Sequence, residues 1–217
     1  MFTHVFFDLD GTLIDPFVGI TRSIQHALER MGADVPPAED LRWCIGPPLW
    51  GSFEVLLQTT DRSVQDAAVA YYRERFTVNG LYEYTLIEGV SALAQNLKQR
   101  GKTLCVVTSK PHAYAGKIVA HAGLMPFFKT VYGSELDGTR SDKSDLIAYV
   151  LESEAAKASS CVMVGDRRHD LVGAHANGVA GIGVGWGYGS HEELLGEQPA
   201  LLAKRPKDIL DWFSNVA

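Results

Sequence analysis

Two aspartates separated by one residue, Asp8 and Asp10, close an apolar run and lead into Gly11 and Thr12. Alternation along a strand puts both carboxylates on the same side. Carboxylates that close repel unless their roles are separated, and a divalent cation separates them. One oxygen of Asp8 can bind the metal while the other stays a nucleophile, and Asp10, its carboxyl off the metal, can carry a proton. Gly11 and Thr12 then turn the chain with backbone N–H groups able to cradle an anion. Thr108 and Ser109 end a second apolar run with a hydroxyl and backbone donors suited to a phosphoryl oxygen. The stretch Gly165-Asp166-Arg167-Arg168-His169-Asp170 ends another, with carboxylates four residues apart. Hard oxygen ligands of this kind suit Mg²⁺, and no His or Cys cluster offers a zinc site. Lys143, at the start of a helical pattern, could neutralise both a phosphate and the nucleophilic carboxylate.

These residues need a scaffold that presents strand ends together. Strand and helix signals alternate over most of the chain, predicting a parallel sheet with crossover helices. The expected strands are 4–7, 103–108, 129–132, 161–164 and 181–184, the last being read as the final core strand. Helices are expected over 89–100 and 141–152, where apolar residues recur at helical spacing. In open α/β sheets ligands bind outside the carboxyl ends of the strands, which is where every residue above falls.

Between Asp15 and about Tyr84 the pattern is helical with no convincing strand. Asp15-Pro16 reads as an N-cap followed by Pro at the first helical position, opening a helix that stops at Gly32. Shorter helices are expected at about 37–44, 49–58 and 62–77, with Ile45-Gly46-Pro47-Pro48 as a loop. The expected architecture is therefore a Rossmann-like, doubly wound α/β core, residues 1–15 and 85–217, carrying a small all-helical domain, residues 16–84.

Composition narrows the function classes. Twenty Lys and Arg against 26 Asp and Glu give the chain a net charge of −6, so no overall positive field draws in nucleic acid or anionic lipid. Three widely spaced cysteines, Cys44, Cys105 and Cys161, suggest a reducing cytoplasm, with the last two read as small buried hydrophobes. The N-terminal segment lacks a basic region and meets Asp8 early, unlike a signal peptide, and the one long uncharged stretch is broken by glycines, so no membrane span is expected. The tract Gly181-Ile182-Gly183-Val184-Gly185-Trp186-Gly187-Tyr188-Gly189 fits no register of the dinucleotide-binding fingerprint and reads as a strand and its exit loop.

Asp-Gly alone is a turn, a Thr after a strand is a cap, and a Lys at a helix start is a solvated side chain. The order D-x-D-G-T, strand–Thr, Lys, G-D-x-x-x-D is far more specific. By it the chain resembles the haloacid dehalogenase-like hydrolases over essentially its whole length, and their phosphatases rather than their dehalogenases, because Asp10 is present. The resemblance implies that Asp8 is the nucleophile and forms an aspartyl-phosphate, and that Asp10 is the general acid and base. It implies that Mg²⁺ is held by Asp8, Asp10 through its backbone carbonyl, and Asp166, with Asp170 in support. Thr108 and Lys143 would stabilise the phosphoryl oxygens, and the helical insertion would be a cap that excludes water.

Within the superfamily the resemblance is nearest to phosphoglycolate phosphatase-like and bacterial 5′-nucleotidase-like enzymes, through Ile45-Gly46-Pro47-Pro48-Leu49, Asp137-Gly138-Thr139-Arg140 and Trp186-Gly187-Tyr188-Gly189. Many relatives follow the second-motif Thr with Asn, where this chain has Ser109. The expected substrate is a small phosphorylated metabolite rather than a nucleic acid polymer. Gly46, Pro47, Arg22 and Trp43 are the candidate specificity residues, although Arg22 and Arg42 also read as solvated and Trp43 as cap core. A phosphomutase and a non-catalytic phosphoryl-accepting regulator are the competing functions, and nothing in the sequence fixes the oligomeric state.

Overall fold

The structure, a computed structural model, describes residues 1–215. In chain order the elements are β1 (His4–Phe7), β2 (Ile14–Asp15), α1 (Phe17–Met31), α2 (Leu49–Leu56), α3 (Arg62–Phe76), β3 (Thr85–Leu86), α4 (Val90–Gln99), β4 (Thr103–Pro111), α5 (His112–His121), β5 (Thr130–Ser134), α6 (Lys143–Ser153), β6 (Cys161–Gly165), α7 (Arg168–Ala176), β7 (Ala180–Val184), α8 (His191–Gly196), β8 (Leu201–Ala203) and α9 (Pro206–Asn215). They form two compact units, Met1–Asp15 with Leu86–Ala217, and Pro16–Thr85.

The first unit is built on a six-stranded sheet in the order β5-β4-β1-β6-β7-β8, with every neighbouring pair parallel. β1 lies between β4 and β6, with Phe7 opposite Val106 on one side and Val164 on the other. Val5, Phe6 and Phe7 are each almost wholly buried, as expected of a strand covered on both faces. Phe6 packs with Cys105, Val107, Cys161 and Met163 of the flanking strands and with Leu146, Ile147, Val150 and Ala174 of α6 and α7. From β1 the chain moves outward through β4 and β5, then returns to the other side of β1 for β6. That reversal puts the switch point, where open α/β sheets bind ligands, at the carboxyl ends of β1, β4 and β6.

The fold class is thus a doubly wound parallel α/β core, with four differences from the expected elements. β7 is not the last strand: Leu201–Ala203 adds β8 in parallel to it. β4 runs past Thr108 to Pro111, with a register shift against β5 between the two. The segment expected as a short helix at 37–44 is a 3₁₀ helix, Ala38–Cys44. Asp15 does not cap α1. The helix begins at Phe17, one residue later than expected, so Pro16 rather than Asp15 holds the N-cap position, and the Asp15 carboxylate accepts the Tyr188 hydroxyl.

The second unit is helical. α1 buries Ile20, Ile24, Ala27 and Leu28 at helical spacing and ends at Gly32, whose left-handed φ of 66° closes the helix with bonds to Glu29 and Leu28 carbonyls. α3 is capped by Asp61, which accepts from the Ser63 N–H. Arg75 grips Glu83 with two hydrogen bonds of 2.7 and 2.9 Å. All three cysteines are buried and unpaired, and no described helix is long and apolar enough to cross a membrane.

Candidate active site

The turn after β1 is wound around one acceptor. The Leu9 carbonyl takes hydrogen bonds from the N–H groups of Thr12, Leu13 and Ile14 at 3.3, 2.9 and 3.1 Å, and Gly11 supplies the reversal with a φ of +76°. Asp8 and Asp10 leave this turn as buried carboxylates, 5% and 7% exposed. β6 ends at Gly165 and delivers Asp166, and Asp170 follows in the first turn of α7, where its Oδ2 accepts the Arg167 N–H at 3.1 Å. Asp142 caps α6 through the N–H groups of Ser144 and Asp145, which fixes the base of the Lys143 side chain.

Lys143 is the hub. Its Nζ lies 2.9 Å from Asp8 Oδ1, 2.8 Å from Asp170 Oδ1 and 3.0 Å from the Val107 carbonyl. Burial opposes its charge, but the Asp170 and Asp8 carboxylates outweigh that and hold the ammonium above the usual lysine range. Asp8, Asp166 and Asp170 each place an oxygen within 4.8 Å of the others, all three buried. Fully ionised, three carboxylates against one ammonium would leave two negative charges uncompensated in a low-dielectric site. Burial, with Asp170 and Asp8 close by, accordingly pushes Asp166 well above the usual carboxylate range. Burial also raises Asp170 to about 6, against the pull of Lys143.

Asp10 is set apart from this cluster. Its Oδ2 pairs with Lys110 Nζ at 2.8 Å, while its buried Oδ1 has no hydrogen-bond partner. Burial raises its pKa and Lys110 works in the opposite direction. An oxygen buried without a hydrogen-bond partner is costly, and that cost falls on Asp10 Oδ1. Lys110 was not among the residues singled out from the sequence. It lies beyond the expected end of the strand at 108, and the extension of β4 to Pro111 is what carries it toward Asp10.

Thr108 is buried, its hydroxyl accepting the Lys110 N–H at 3.3 Å. The Ser109 carbonyl accepts the Ser134 hydroxyl at 2.8 Å. Asp8, Asp166, Asp170 and Lys143 are therefore linked by direct contact or common clustering, while Asp10 pairs with Lys110, whose N–H reaches Thr108. The other candidates, Arg22, Trp43, Gly46 and Pro47, lie in the helical unit. There Arg22 pairs with Glu83 at 3.6 Å and Trp43 is 41% exposed rather than part of a core.

Residues 5–184 match the haloacid dehalogenase-like hydrolase family. The chain belongs to that family. Among its relatives, a 5′-nucleotidase of Pseudomonas aeruginosa is 50% identical over 200 residues, covering 91% of this chain and 89% of that protein. The tyrosine-protein kinase PtkA of Mycobacterium tuberculosis is 38% identical over 185 residues, 85% of this chain and 62% of that protein. The crystal structure of a predicted phosphatase from Clostridium acetobutylicum superposes with a TM-score of 0.93 at 37% identity, covering 97% of this chain and 99% of that one. This member is a phosphatase, and the resemblance drawn from its four motifs holds.

Proposed function

We propose that this phosphatase hydrolyses small phosphomonoesters through a phosphorylated Asp8, with Mg²⁺ as its cofactor. The observation that carries the reading is the charge imbalance at Asp8, Asp166, Asp170 and Lys143. When ionised, these buried hard-oxygen donors exceed the one ammonium by two negative charges, which fits one divalent cation of the magnesium type. Asp8, Asp166 and Asp170 would hold it with their carboxylates, and the backbone carbonyl of Asp10 would add a further ligand. Bound there, the ion would offset the charge that gathers on the phosphoryl oxygens.

The protein's own groups account for the proton and bond changes. Asp8, oriented by Lys143 on one oxygen, attacks phosphorus in line, and the bond from phosphorus to the ester oxygen breaks. Asp10 gives its proton to that leaving oxygen. In the second half Asp10 takes a proton from water as the water oxygen attacks phosphorus, which frees phosphate and restores Asp8. The Thr108 hydroxyl, the Ser109 N–H and Lys143 bind the non-bridging oxygens, where most of the stabilisation of such a transfer lies; Gly11, expected to join them, spends its N–H on the Ile14 carbonyl at 2.7 Å and serves the turn instead. The 50% identical 5′-nucleotidase supports a substrate of the 5′-nucleotide kind, with phosphoglycolate as the alternative, and Arg22, Trp43, Gly46 and Pro47 remain the candidate specificity residues.

The test is release of inorganic phosphate from 5′-nucleotides, phosphoglycolate and sugar phosphates, with Mg²⁺ or with EDTA. Turnover should need Mg²⁺ and vanish in Asp8→Asn, whose circular dichroism should match the wild type. Undiminished turnover by Asp8→Asn refutes the nucleophile. Isomerised sugar phosphate in place of inorganic phosphate would make the enzyme a mutase.

A further inference from the structure

The glycine-rich tract after β7 takes no part in the chemistry proposed above, yet it encloses one of its carboxylates. The Tyr188 N–H donates to Asp166 Oδ2 at 2.7 Å, and the Gly189 N–H donates to the Asp166 carbonyl at 3.1 Å. On the opposite side the Thr12 hydroxyl reaches Asp166 Oδ1 at 3.4 Å. Gly11, Gly187 and Gly189 all press against Asp166 so closely that a Cβ on any of them would overlap it. Asp166 therefore has one available orientation.

What holds the enclosing loop is its two aromatic side chains. The Trp186 indole N–H donates to the Thr12 carbonyl at 3.1 Å. The Tyr188 hydroxyl donates to Asp15 Oδ1. Asp15 is the last residue of the first unit before the chain enters the second. Apart from these anchors and the Gly189 bond, the loop backbone is tied to the sheet by the Gly185 N–H on the Ala203 carbonyl at 2.8 Å.

We propose that Tyr188 is a positioning residue for metal binding: its hydroxyl, anchored on Asp15, aims its own backbone N–H at Asp166 and so fixes that carboxylate for the cation. The proposal rests on the reading of Asp166 as a metal ligand. Hydrogen-bond partners behind a ligand orient it and set its basicity, and losing one typically weakens metal affinity by about 10–100-fold. Tyr188→Phe removes the anchor and leaves the backbone N–H, so the expected loss is at the lower end, about tenfold.

Mn²⁺ is a suitable probe, since its free concentration is read by electron paramagnetic resonance without substrate or turnover. Wild type, Tyr188→Phe, Asp15→Ala, the double variant and Asp15→Asn would be titrated, with thermal midpoints taken in EDTA. Tyr188→Phe and Asp15→Ala should each weaken Mn²⁺ binding about tenfold, and the double variant should lose no more than either alone, because both delete one contact. Asp15→Asn keeps an acceptor for the phenol and should retain wild-type affinity. Wild-type affinity in Tyr188→Phe overturns the proposal, as does a fall in the EDTA midpoint that accounts for the whole loss. Wild type that fails to bind Mn²⁺, with Asp166→Asn indistinguishable from it, overturns instead the metal reading on which the proposal stands.

Discussion

Replacing Lys143 by Met isolates the charge argument on which the site depends. The side chain is fully enclosed, and its Nζ serves two carboxylates at 2.8 and 2.9 Å. At an effective dielectric of about 20, one such contact at about 3 Å carries about 5–6 kcal/mol of Coulomb attraction, most of it offset by desolvation. Removing one partner from a buried pair leaves the other uncompensated and costs about 3–5 kcal/mol. For a chain of this size that is a drop of about 10 °C in thermal midpoint at pH 7.5 in EDTA. The folded state holds Lys143 above its ordinary value, so its contribution is complete below about 10.5 and fully present at pH 7.5. The pH dependence of the deficit comes from the carboxylates. Burial raises both Asp166 and Asp170, the latter to about 6, so the cluster takes up protons as pH falls and the missing ammonium matters less. The deficit should shrink by more than half at pH 5. Added Mg²⁺ should stabilise Lys143→Met by more than it stabilises the wild type, because it supplies charge the variant lacks. Differential scanning calorimetry at pH 5 and 7.5, with and without Mg²⁺, reads all four quantities. A deficit that is the same at both pH values and indifferent to Mg²⁺ would refute the reasoning and leave Lys143 as a packing residue.

Mn²⁺ or Mg²⁺ affinity should fall as pH drops from 7.5 to 5.5, since the buried Asp166 and Asp170 must release protons to bind; calorimetric titration in two buffers checks both the affinity and the protons released. Lys110→Met removes the group that favours the charged form of Asp10, so the acidic limb of the kcat profile should move to higher pH, and an unmoved profile would separate Lys110 from the proton transfer. In the helical unit, hydrogen bonding to Arg75 lowers Glu83, so this pair stabilises above the ordinary glutamate value and is lost as pH falls through the depressed one. Arg75→Met should therefore cost about 1 kcal/mol at pH 7 and nothing once the medium is acid enough to protonate Glu83, as urea titrations at pH 7 and in acid would show.

Asp8, Asp166, Asp170 and Lys143 could be read together from the sequence because each stands just after a strand or at a helix start, and a parallel sheet brings such positions to one edge. Lys110 hid behind its residue type. A lysine after a strand is ordinarily solvated, and only the extension of β4 past Thr108 turns it inward toward Asp10. β8 was missed because three residues carry too little alternation to register; its identity comes from its pairing with β7. Asp15 shows the limit of local rules. Asp-Pro is a sound helix-start signal, but the acceptor it would have offered is engaged by Tyr188, 173 positions along the chain. Trp43 likewise reads as core by composition and is exposed in the structure.

The sheet order also carries a consequence for how the polypeptide is made. β1 is formed from residues 4–7, yet its two partners are β4 and β6, so the central strand of the sheet has nothing to pair with when it first leaves the ribosome. The helical unit has no such wait, because its contacts lie within Pro16–Thr85. Roughly 80 more residues must be synthesised before Gly165 emerges, which at about 5–20 residues per second is roughly 4–16 s. β4 becomes available early in that interval, but until its end one edge of β1 lacks its β6 partner. The buried carboxylate cluster is among the last things to exist, since Asp8 and Asp166 meet only when β6 docks against β1. Truncation before Cys161 should accordingly yield a folded helical segment on a core that cannot close its sheet.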